Sequence, residues 1–218
     1  MTCRFRPSTI AQGAPSKVEG RGSRLRSSSY GEASRGSLAA VLMAITIATQ
    51  GCLVLGLDRF YDEPSIAFDE RLLGSWRDAD DNVTVTVERS DWRSYRVQYV
   101  HPTETGTLTG YLFKQGASLY LDLVPVRGKD FGSFIVPAHA LVRIAFATDP
   151  REVTVAPLSF DWFAKAMADQ TLPASIRATK GERDQIVLAA SRVELQQWLA
   201  ARSADDPAFG LEATFKKQ

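Results

Sequence analysis

The chain has 218 residues, of which 44% are hydrophobic, 23% charged and 10% aromatic. This composition is typical of a globular protein of one or two domains. It excludes a wholly disordered or collagen-like chain, and the presence of only two cysteines excludes a disulfide-dense scaffold. The net charge of +1 averages two unlike parts, because residues 1–37 carry seven basic and two acidic side chains whereas the remainder carries 19 basic and 23 acidic ones. The first segment therefore has a different role from the rest.

The first 51 residues have the layout of an export signal. Residues 1–37 are rich in Ser, Gly and Arg and have no apolar periodicity, which predicts a disordered basic leader. An uncharged apolar run of 11 residues follows, from Leu38 to Ala48. A helix of that length, at about 1.5 Å per residue, is too short to span a hydrocarbon core of about 30 Å. We therefore assign residues 38–51 to the apolar region and cleavage motif of a signal peptide.

The residues that end this run, Gln50-Gly51-Cys52, resemble the signal peptide of bacterial lipoproteins, although Thr49 and Gln50 depart from its usual residues. The resemblance implies that Cys52 is lipidated and becomes the first residue of a mature chain of 167 residues, anchored to a membrane of the bacterial cell envelope. The alternatives are an ordinary signal peptide or an uncleaved anchor, with Cys52 a bystander. Residues 52–70 are predicted to form a tether before the folded part, residues 71–218.

From Leu72 onward the apolar residues recur mostly with a period of two, which indicates strands. Short turns separate the alternating runs, so an antiparallel meander is predicted. Pro137 marks an edge, a bulge or a break between two of the strands, since proline lacks a ladder donor. The predicted strands are 83–87, 95–99, 108–112, 119–123, 134–136, 140–146 and 151–155, then a pair at 176–178 and 185–189, and a closing strand at 209–215.

Two segments have helical spacing instead. Residues 160–168 are predicted to form a helix capped by Asp161, and residues 192–201 an amphipathic helix capped by Ser191. Many antiparallel strands with two short helices indicate a β-sandwich or a β-barrel. The hairpin-sized links favour a barrel, because closure removes exposed strand edges.

A first strand precedes these strands and reads Leu72-Leu73-Gly74-Ser75-Trp76, and Gly-x-Trp at this position resembles the lipocalin (calycin) signature. The resemblance implies an eight-stranded antiparallel cup whose closed end is plugged by Trp76. Lipocalins place a late Arg over that Trp, whereas here Lys216 and Lys217 follow the last predicted strand. The wider pattern, Leu121-Asp-Leu-x-Pro125, Pro137-Ala-His139 and Asp161-Trp162, resembles bacterial envelope lipoproteins of uncharacterised function with lipocalin-like domains, which implies no activity.

Few residues in the chain suit catalysis or metal binding. The sequence has only two histidines, His101 and His139, and contains no Gly-x-Ser-x-Gly, Gly-x-Gly-x-x-Gly or P-loop motif. Zinc sites need three or four ligands, so two histidines on separate strands predict no metal site. We expect no enzyme activity, no cofactor and no catalytic residue. The acidic balance after residue 37 also argues against a nucleic-acid partner.

Two functions from different classes remain open. One is a binding cup for a small apolar or amphipathic ligand, with Tyr95, Tyr99, Tyr111 and His139 as the polar contacts. The other is a structural or interaction lipoprotein whose barrel is filled by its own side chains. Asp122 alternates with Leu121 and Leu123, and is expected to be solvated or paired with Arg143, or else to be a ligand contact inside the cup.

Overall fold

The computed structural model describes residues 52–78, 80–126, 136–181 and 185–218, which form eleven strands, two α-helices and two short 3₁₀ turns, Glu63–Ser65 and Glu70–Leu72. The predicted leader, apolar run and cleavage motif, residues 1–51, lie outside the described residues. The strands are β1 (Leu53–Gly56), β2 (Gly74–Asp78), β3 (Val83–Arg89), β4 (Tyr95–His101), β5 (Glu104–Gln115), β6 (Ser118–Pro125), β7 (His139–Phe146), β8 (Glu152–Pro157), β9 (Arg177–Lys180), β10 (Gln185–Ala189) and β11 (Ala213–Lys217). The helices are α1 (Phe160–Ala168) and α2 (Arg192–Ala200).

Eight of the strands form a closed antiparallel barrel in the order β2–β3–β4–β5–β6–β7–β8–β11, with β11 pairing back onto β2. The meander from β2 to β6 has matched registers, for example Trp76 opposite Val85 and Val85 opposite Tyr99. The predicted fold class, a mainly β lipocalin-like barrel with two short helices, is confirmed. The closing strand begins at Ala213 rather than at residue 209, because Phe209 forms an isolated bridge with Leu158.

A three-stranded extension leaves the barrel at β7. Strand β1 pairs antiparallel with the start of β7, with Gly56 opposite His139, while β10 lies parallel to β1 and pairs with β9. The predicted β9–β10 pair is confirmed. The segment 52–70, which we predicted to be a tether, instead contributes β1 and the buried side chains of Phe60 and Tyr61, so it belongs to the folded domain. Of the predicted strand 134–136, residues 134 and 135 lie outside the described residues, and Val136 is in no strand.

The inner core fills the middle of the barrel. Because successive side chains of a strand point to opposite faces, each barrel strand contributes every second residue to it. The buried members are Leu72, Trp76, Val87, Tyr95, Val97, Leu112, Leu121, Val142, Ile144 and Val153.

The outer core lies on the other face of β5, β6 and β7, beneath the extension and the two helices. Phe113 on β5 and Tyr120 on β6 are neighbours of inner-core residues but point outward, with ring centroids 5.5 Å apart. These strands are therefore apolar on both faces. The buried members are Val54, Phe60, Tyr61, Ile66, Phe113, Tyr120, Leu141, Ala156, Leu158, Phe163, Ile176, Ile186, Leu188, Leu195, Trp198, Leu199, Ala208 and Phe209.

Both helices begin at a serine cap. The Ser159 hydroxyl accepts a hydrogen bond from the Trp162 N–H at 3.2 Å, so the cap of α1 is Ser159 and our assignment of Asp161 was wrong by two positions. Helix α2 begins at Ser191 as predicted, with a complete capping box formed with Glu194. Among the described residues, no helix is long and apolar enough to cross a membrane.

One end of the barrel, which we call the closed end, is covered by residues 66–73. Phe68 stacks on Tyr95 with ring centroids 4.8 Å apart, and the Ala67 N–H donates to the Leu112 carbonyl at 2.8 Å. Strands β3 and β7 end here, and β2 and β4 begin here. The opposite end, where β2 and β4 end and β7 begins, we call the far end.

The Gly74-x-Trp76 motif fixes this closure. Trp76 is 2% exposed, and its Nε1 donates to the Leu72 carbonyl at 2.8 Å. The Lys217 ammonium lies 5.2 Å from the centre of the Trp76 ring, at the place where lipocalins have an arginine. A Cβ on Gly74 would lie 2.8 Å from Lys217 Cε, and the φ of +126° also disfavours any other residue there. Glycine therefore makes room for the lysine that covers the tryptophan.

Candidate functional site

Partly exposed apolar side chains lie on the inner face of the barrel at the closed end, as at Leu119 and Phe146, and also toward the far end. Val85, Leu108 and Leu123 pack against the inner core but keep part of their surface exposed. Tyr99 lies on the same face as Tyr95 and Val97, because residues two apart on a strand share a face. These four side chains, Val85, Tyr99, Leu108 and Leu123, form what we call the mouth group.

Glycine at position 106 determines where the Tyr99 ring lies. Gly106 is the cross-strand partner of Tyr99, and a Cβ there would lie only 2.3 Å from Tyr99 Cε1. The ring therefore lies across the backbone of β5, at the rim of the partly exposed interior. Among the predicted ligand contacts, Tyr99 is the one that the structure places on the inner face with exposed surface.

Tyr95 also points into the barrel, but it is part of the closure. Its side chain is fully buried. Its hydroxyl donates a hydrogen bond to the Asp69 carbonyl at 3.1 Å and accepts one from the Asp69 N–H at 2.7 Å. Burial raises the pKa of this phenol. Because both hydrogen-bonding roles of the hydroxyl are taken by backbone, Tyr95 is placed as a structural plug.

The other two predicted contacts, Tyr111 and His139, lie outside the barrel near Asp122. Asp122 is fully buried in the outer core, and its Oδ1 lies 2.8 Å from His139 Nδ1. Its Oδ2 accepts a hydrogen bond from the Phe60 N–H at 2.9 Å. The expectation of a solvated Asp122, or of one paired with Arg143, was therefore wrong, because the side chain points outward into a second core rather than into solvent.

Tyr61 and Tyr111 complete this outer cluster. Their rings stack with centroids 4.9 Å apart, and Tyr111 is the cross-strand partner of Asp122. Burial raises the pKa of the Tyr61 phenol from 10.0 to about 12; the nearby Tyr111 and Asp122 add to the rise, and the hydrogen bond from Arg59 opposes it. The cluster thus combines a carboxylate, an imidazole and two phenols under the β1 extension.

An aspartate that orients a histidine is a feature of many general-base sites, but such a site also needs a nucleophile or substrate within reach of the ring. The hydrogen bonds of Asp122 run to Phe60 and His139, which tie the segment after β1 to the start of β7. This arrangement supports a structural role. No group of three or more His, Cys, Asp or Glu side chains in the described part of the chain is placed to hold a metal ion.

Arg143 belongs to a different polar cluster on the outer face. Its Nη2 donates to Glu212 Oε1 at 3.1 Å, and its guanidinium lies 4.8 Å from the centre of the Phe209 ring. Arg202 packs between the rings of Trp162 and Trp198, at 5.4 and 4.6 Å, and pairs with Asp206. These contacts hold the connection between α2 and β11 against the barrel wall.

Two open depressions lie beside the start of α2. One has a volume of about 410 Å³ and is lined partly by Leu57 and Arg177, and the other has a volume of about 290 Å³ and is lined by Arg59 and Val193 among others. Asp58 Oδ2 accepts from the Arg192 N–H at the helix start, so a carboxylate of the chain itself already occupies this position. We assign no ligand to either depression.

Cys52 directly precedes β1 and is disulfide-bonded in the structure. The sequence did not predict the roles of Arg59, Phe60 and Tyr61. All three follow Cys52 within the segment that we predicted to be a tether. The adjacent aromatic residues Phe60 and Tyr61 were the signal that this segment folds, because a flexible tether has no need of large apolar side chains.

Comparison of the chain with protein-family models, with curated protein sequences and with solved structures returns no match. The likeness to lipocalins therefore rests on the architecture described above, an eight-stranded antiparallel barrel with few helices, and on the arrangement of Gly74, Trp76 and Lys217.

Proposed function

We propose that the protein is an exported, membrane-anchored binding protein of the bacterial cell envelope, which takes a small apolar or amphipathic ligand at the far end of its barrel. The observation that carries the proposal is the partly exposed apolar surface on the inner face of the barrel toward the far end. The middle of the barrel is tightly buried, whereas the mouth group keeps exposed apolar surface on the inner face. Partly exposed apolar side chains enclosed by strands are the usual lining of a ligand site.

The size of the barrel limits the ligand. An eight-stranded barrel is only just wide enough to hold its own side chains or one small ligand. Trp76 and Leu112, 2% and 1% exposed, fill its middle, so the proposed ligand occupies the far-end half alone. Tyr99 supplies a phenol at the rim, which suits a molecule with an apolar body and one polar group.

The proposed anchor is a lipid on Cys52. It is supported by the basic leader, the short apolar run and the Gly51-Cys52 pair. Lipidation requires the Cys52 sulfur, so this proposal concerns the processed chain, in which that sulfur carries lipid instead of a disulfide bond. Two or more acyl chains anchor a protein firmly, whereas a single chain gives only marginal binding.

The ligand site is tested with N-phenyl-1-naphthylamine, an apolar probe whose fluorescence rises on leaving water, added to the full protein purified from membranes. We expect saturable binding that Leu123→Arg weakens at least tenfold, because the substitution places a charge among the mouth group. The matched control is Val100→Arg, which adds the same charge next to Tyr99 on the outer face, where Val100 is 52% exposed. Equal loss of binding in both variants would contradict the site.

The anchor is tested separately, by mass spectrometry of the protein isolated from the membrane fraction. We expect an N-terminal Cys52 carrying lipid, and accumulation of the unprocessed precursor when Cys52 is replaced by serine. A chain that keeps residues 1–51, with Cys52 still in a disulfide, would contradict the proposal of lipidation and leave the ligand site untouched.

A second function, a self-filled barrel that acts through its surface, is favoured by the burial of the ten inner-core residues. It predicts that neither the apolar probe nor lipids extracted from the envelope bind at the far end. The same titration decides between the two, because a filled interior gives no saturable signal and no difference between Leu123→Arg and the unmodified protein.

A further inference from the structure

The turn between β3 and β4 has an unusual backbone. Asp91 and Ser94 close it, with the Ser94 N–H donating to the Asp91 carbonyl at 3.1 Å. The two central residues, Trp92 and Arg93, have φ values of +33° and +56°. Two positive φ values in the middle of a tight hairpin define a type I′ geometry, which strongly favours Asn-Gly. A tryptophan in this position is strained, because its Cβ crowds the backbone.

The fold makes different use of the two central residues. Arg93 turns back onto the barrel, where its Nη1 donates to the Ile66 carbonyl at 3.3 Å. Trp92 is 61% exposed and is the sole exposed aromatic side chain among the described residues. A strained residue that packs against little of its own protein points to a role outside the fold.

The residues around Trp92 at the closed end indicate which kind of partner the exposed indole contacts. At the same closed end, the guanidinium of Arg71 lies 3.9 Å from the centre of the Phe146 ring, and that of Arg89 lies 4.1 Å from the centre of the Phe68 ring. Both arginine side chains are more than half exposed, at 55% and 59%, and each pairs with a carboxylate, Arg71 with Asp69 at 2.6 Å and Arg89 with Glu70 at 2.9 Å. Aromatic rings beside exposed charges of both signs suit the zwitterionic headgroup layer of a bilayer, where rings lie at the boundary and charged groups stay at the headgroup level.

The direction of the chain also favours a bilayer at this end. Strand β1 runs antiparallel to β7, and β7 ends at the closed end of the barrel. The first residue of β1, and Cys52 before it, therefore point toward the same end as the β3–β4 hairpin. A lipid on Cys52 would therefore lie toward the closed end, which is the end that carries Trp92.

We infer that Trp92 is a membrane-contact residue, which inserts its indole into the interface of the bilayer that the domain faces. The inference rests on the membrane location proposed above. It adds a second contact to the acyl anchor and orients the barrel with its closed end toward the lipid and its far end, with the mouth group, toward the aqueous side.

The test uses the full protein isolated from membranes and reconstituted with phosphatidylcholine vesicles that contain brominated acyl chains, which quench nearby tryptophans. The other tryptophans, Trp76, Trp162 and Trp198, are buried or partly buried. We expect quenching of the unmodified protein that is mostly lost in Trp92→Asn, and protection of Trp92 from acrylamide when vesicles are added. The control Leu211→Asn changes a side chain that is 62% exposed but lies before β11, at the far end, so it should leave the quenching unchanged.

The fold is checked in the same variant. Since asparagine adopts positive φ far more readily than tryptophan, Trp92→Asn should leave the urea midpoint unchanged or raise it. A lower midpoint would show that Trp92 serves the fold and would overturn the inference.

Continued access of Trp92 to acrylamide on vesicles would also overturn the inference, and protection that requires other envelope proteins would identify a protein partner instead. Mass spectrometry of the same sample shows independently whether Cys52 carries lipid. Lipid on Cys52 without quenching of Trp92 refutes the contact alone, whereas quenching by added vesicles without lipid on Cys52 refutes the anchor alone.

Discussion

Trp76 shows how one side chain can close a barrel. Its indole is buried, its N–H is satisfied by the Leu72 carbonyl, and Lys217 covers its face. Trp76→Ala should lower the free energy of unfolding by about 3–5 kcal/mol, because it leaves a large cavity and an unpaired carbonyl. The exposed control Lys180→Ala should change it by less than about 1 kcal/mol, which includes loss of the contact between the Lys180 ammonium and the Phe160 ring, 5.7 Å away. Equal urea midpoints for the two variants would show that the tryptophan is not a plug.

The buried pair of Asp122 and His139 should behave as one unit. Removing one partner of such a pair leaves a buried polar group without its hydrogen-bond counterpart, which costs about 1–3 kcal/mol. We expect Asp122→Ala to destabilise the domain more than His139→Ala, since it also removes the acceptor of the Phe60 N–H. In the double variant the losses should be less than additive. Additive losses in urea denaturation would mean that the two side chains are not coupled.

Tyr61 makes stability depend on alkaline pH. A phenol whose pKa is higher in the folded than in the unfolded state stabilises the fold only while it remains protonated. Its contribution is therefore complete below pH 10 and is lost as the pH rises toward the folded value of about 12. The urea midpoint should fall across this range, and Tyr61→Phe should reduce the fall. Some fall should remain, because burial also raises the pKa of Tyr95 and Tyr120. If the urea midpoint of Tyr61→Phe fell with pH as it does in the unmodified protein, the pKa of Tyr61 would not be raised by folding.

At the level of elements, the start of α1 separates two kinds of helix stabilisation. Ser159→Ala removes the hydroxyl that accepts from the Trp162 N–H and should cost about 1 kcal/mol. Asp161→Ala removes a negative charge from the first turn and should cost about 0.3–1 kcal/mol, an effect that salt weakens. Urea denaturation at low and high salt distinguishes them, because only the Asp161 effect should shrink. A salt-sensitive loss in Ser159→Ala would contradict this assignment of the cap.

The strands were predictable because most barrel strands have one face in the inner core and one toward solvent, as in Val83–Arg89. A period of two then appears directly in the sequence. The same rule was less informative for β1, which has only four residues and follows an apolar run that hides its start. The predicted start of β11 at Phe209 was wrong because this apolar side chain is buried in the outer core and does not belong to a strand.

The candidate site was less predictable than the fold. The alternation of side chains predicted that Tyr95 and Tyr99 share one face of their strand, and that Tyr111 and Leu112 point to opposite faces of theirs. It did not predict which face is the interior of the barrel. The pairing of Asp122 with His139 depends on the register between β6 and β7, in which Leu123 lies opposite Ala140. A register between two strands is set by the packing of the whole sheet, so it does not appear as a local pattern.

At the scale of the whole molecule, two cores share the same strands. On β5, Leu112 points into the barrel and Phe113 points out beneath the extension, and the same division occurs on β6 between Leu121 and Tyr120. Neither core can lose its packing without loosening strands that the other needs. The helices and the three-stranded extension are therefore part of one cooperative structure rather than an attachment to a separate barrel.

This sharing predicts a single unfolding transition. Leu112→Ala in the inner core and Leu195→Ala on α2 in the outer core remove side chains that are 1% and 0% exposed, so each should cost about 2–5 kcal/mol. In both variants the urea transitions measured by far-ultraviolet circular dichroism and by tryptophan fluorescence should coincide, as in the unmodified protein. The contrary result would be an early fluorescence change in Leu195→Ala, from Trp162 on α1 and Trp198 on α2, with the strand signal intact. Such a change would mean that the outer layer unfolds alone, and that only the eight-stranded barrel is the cooperative unit.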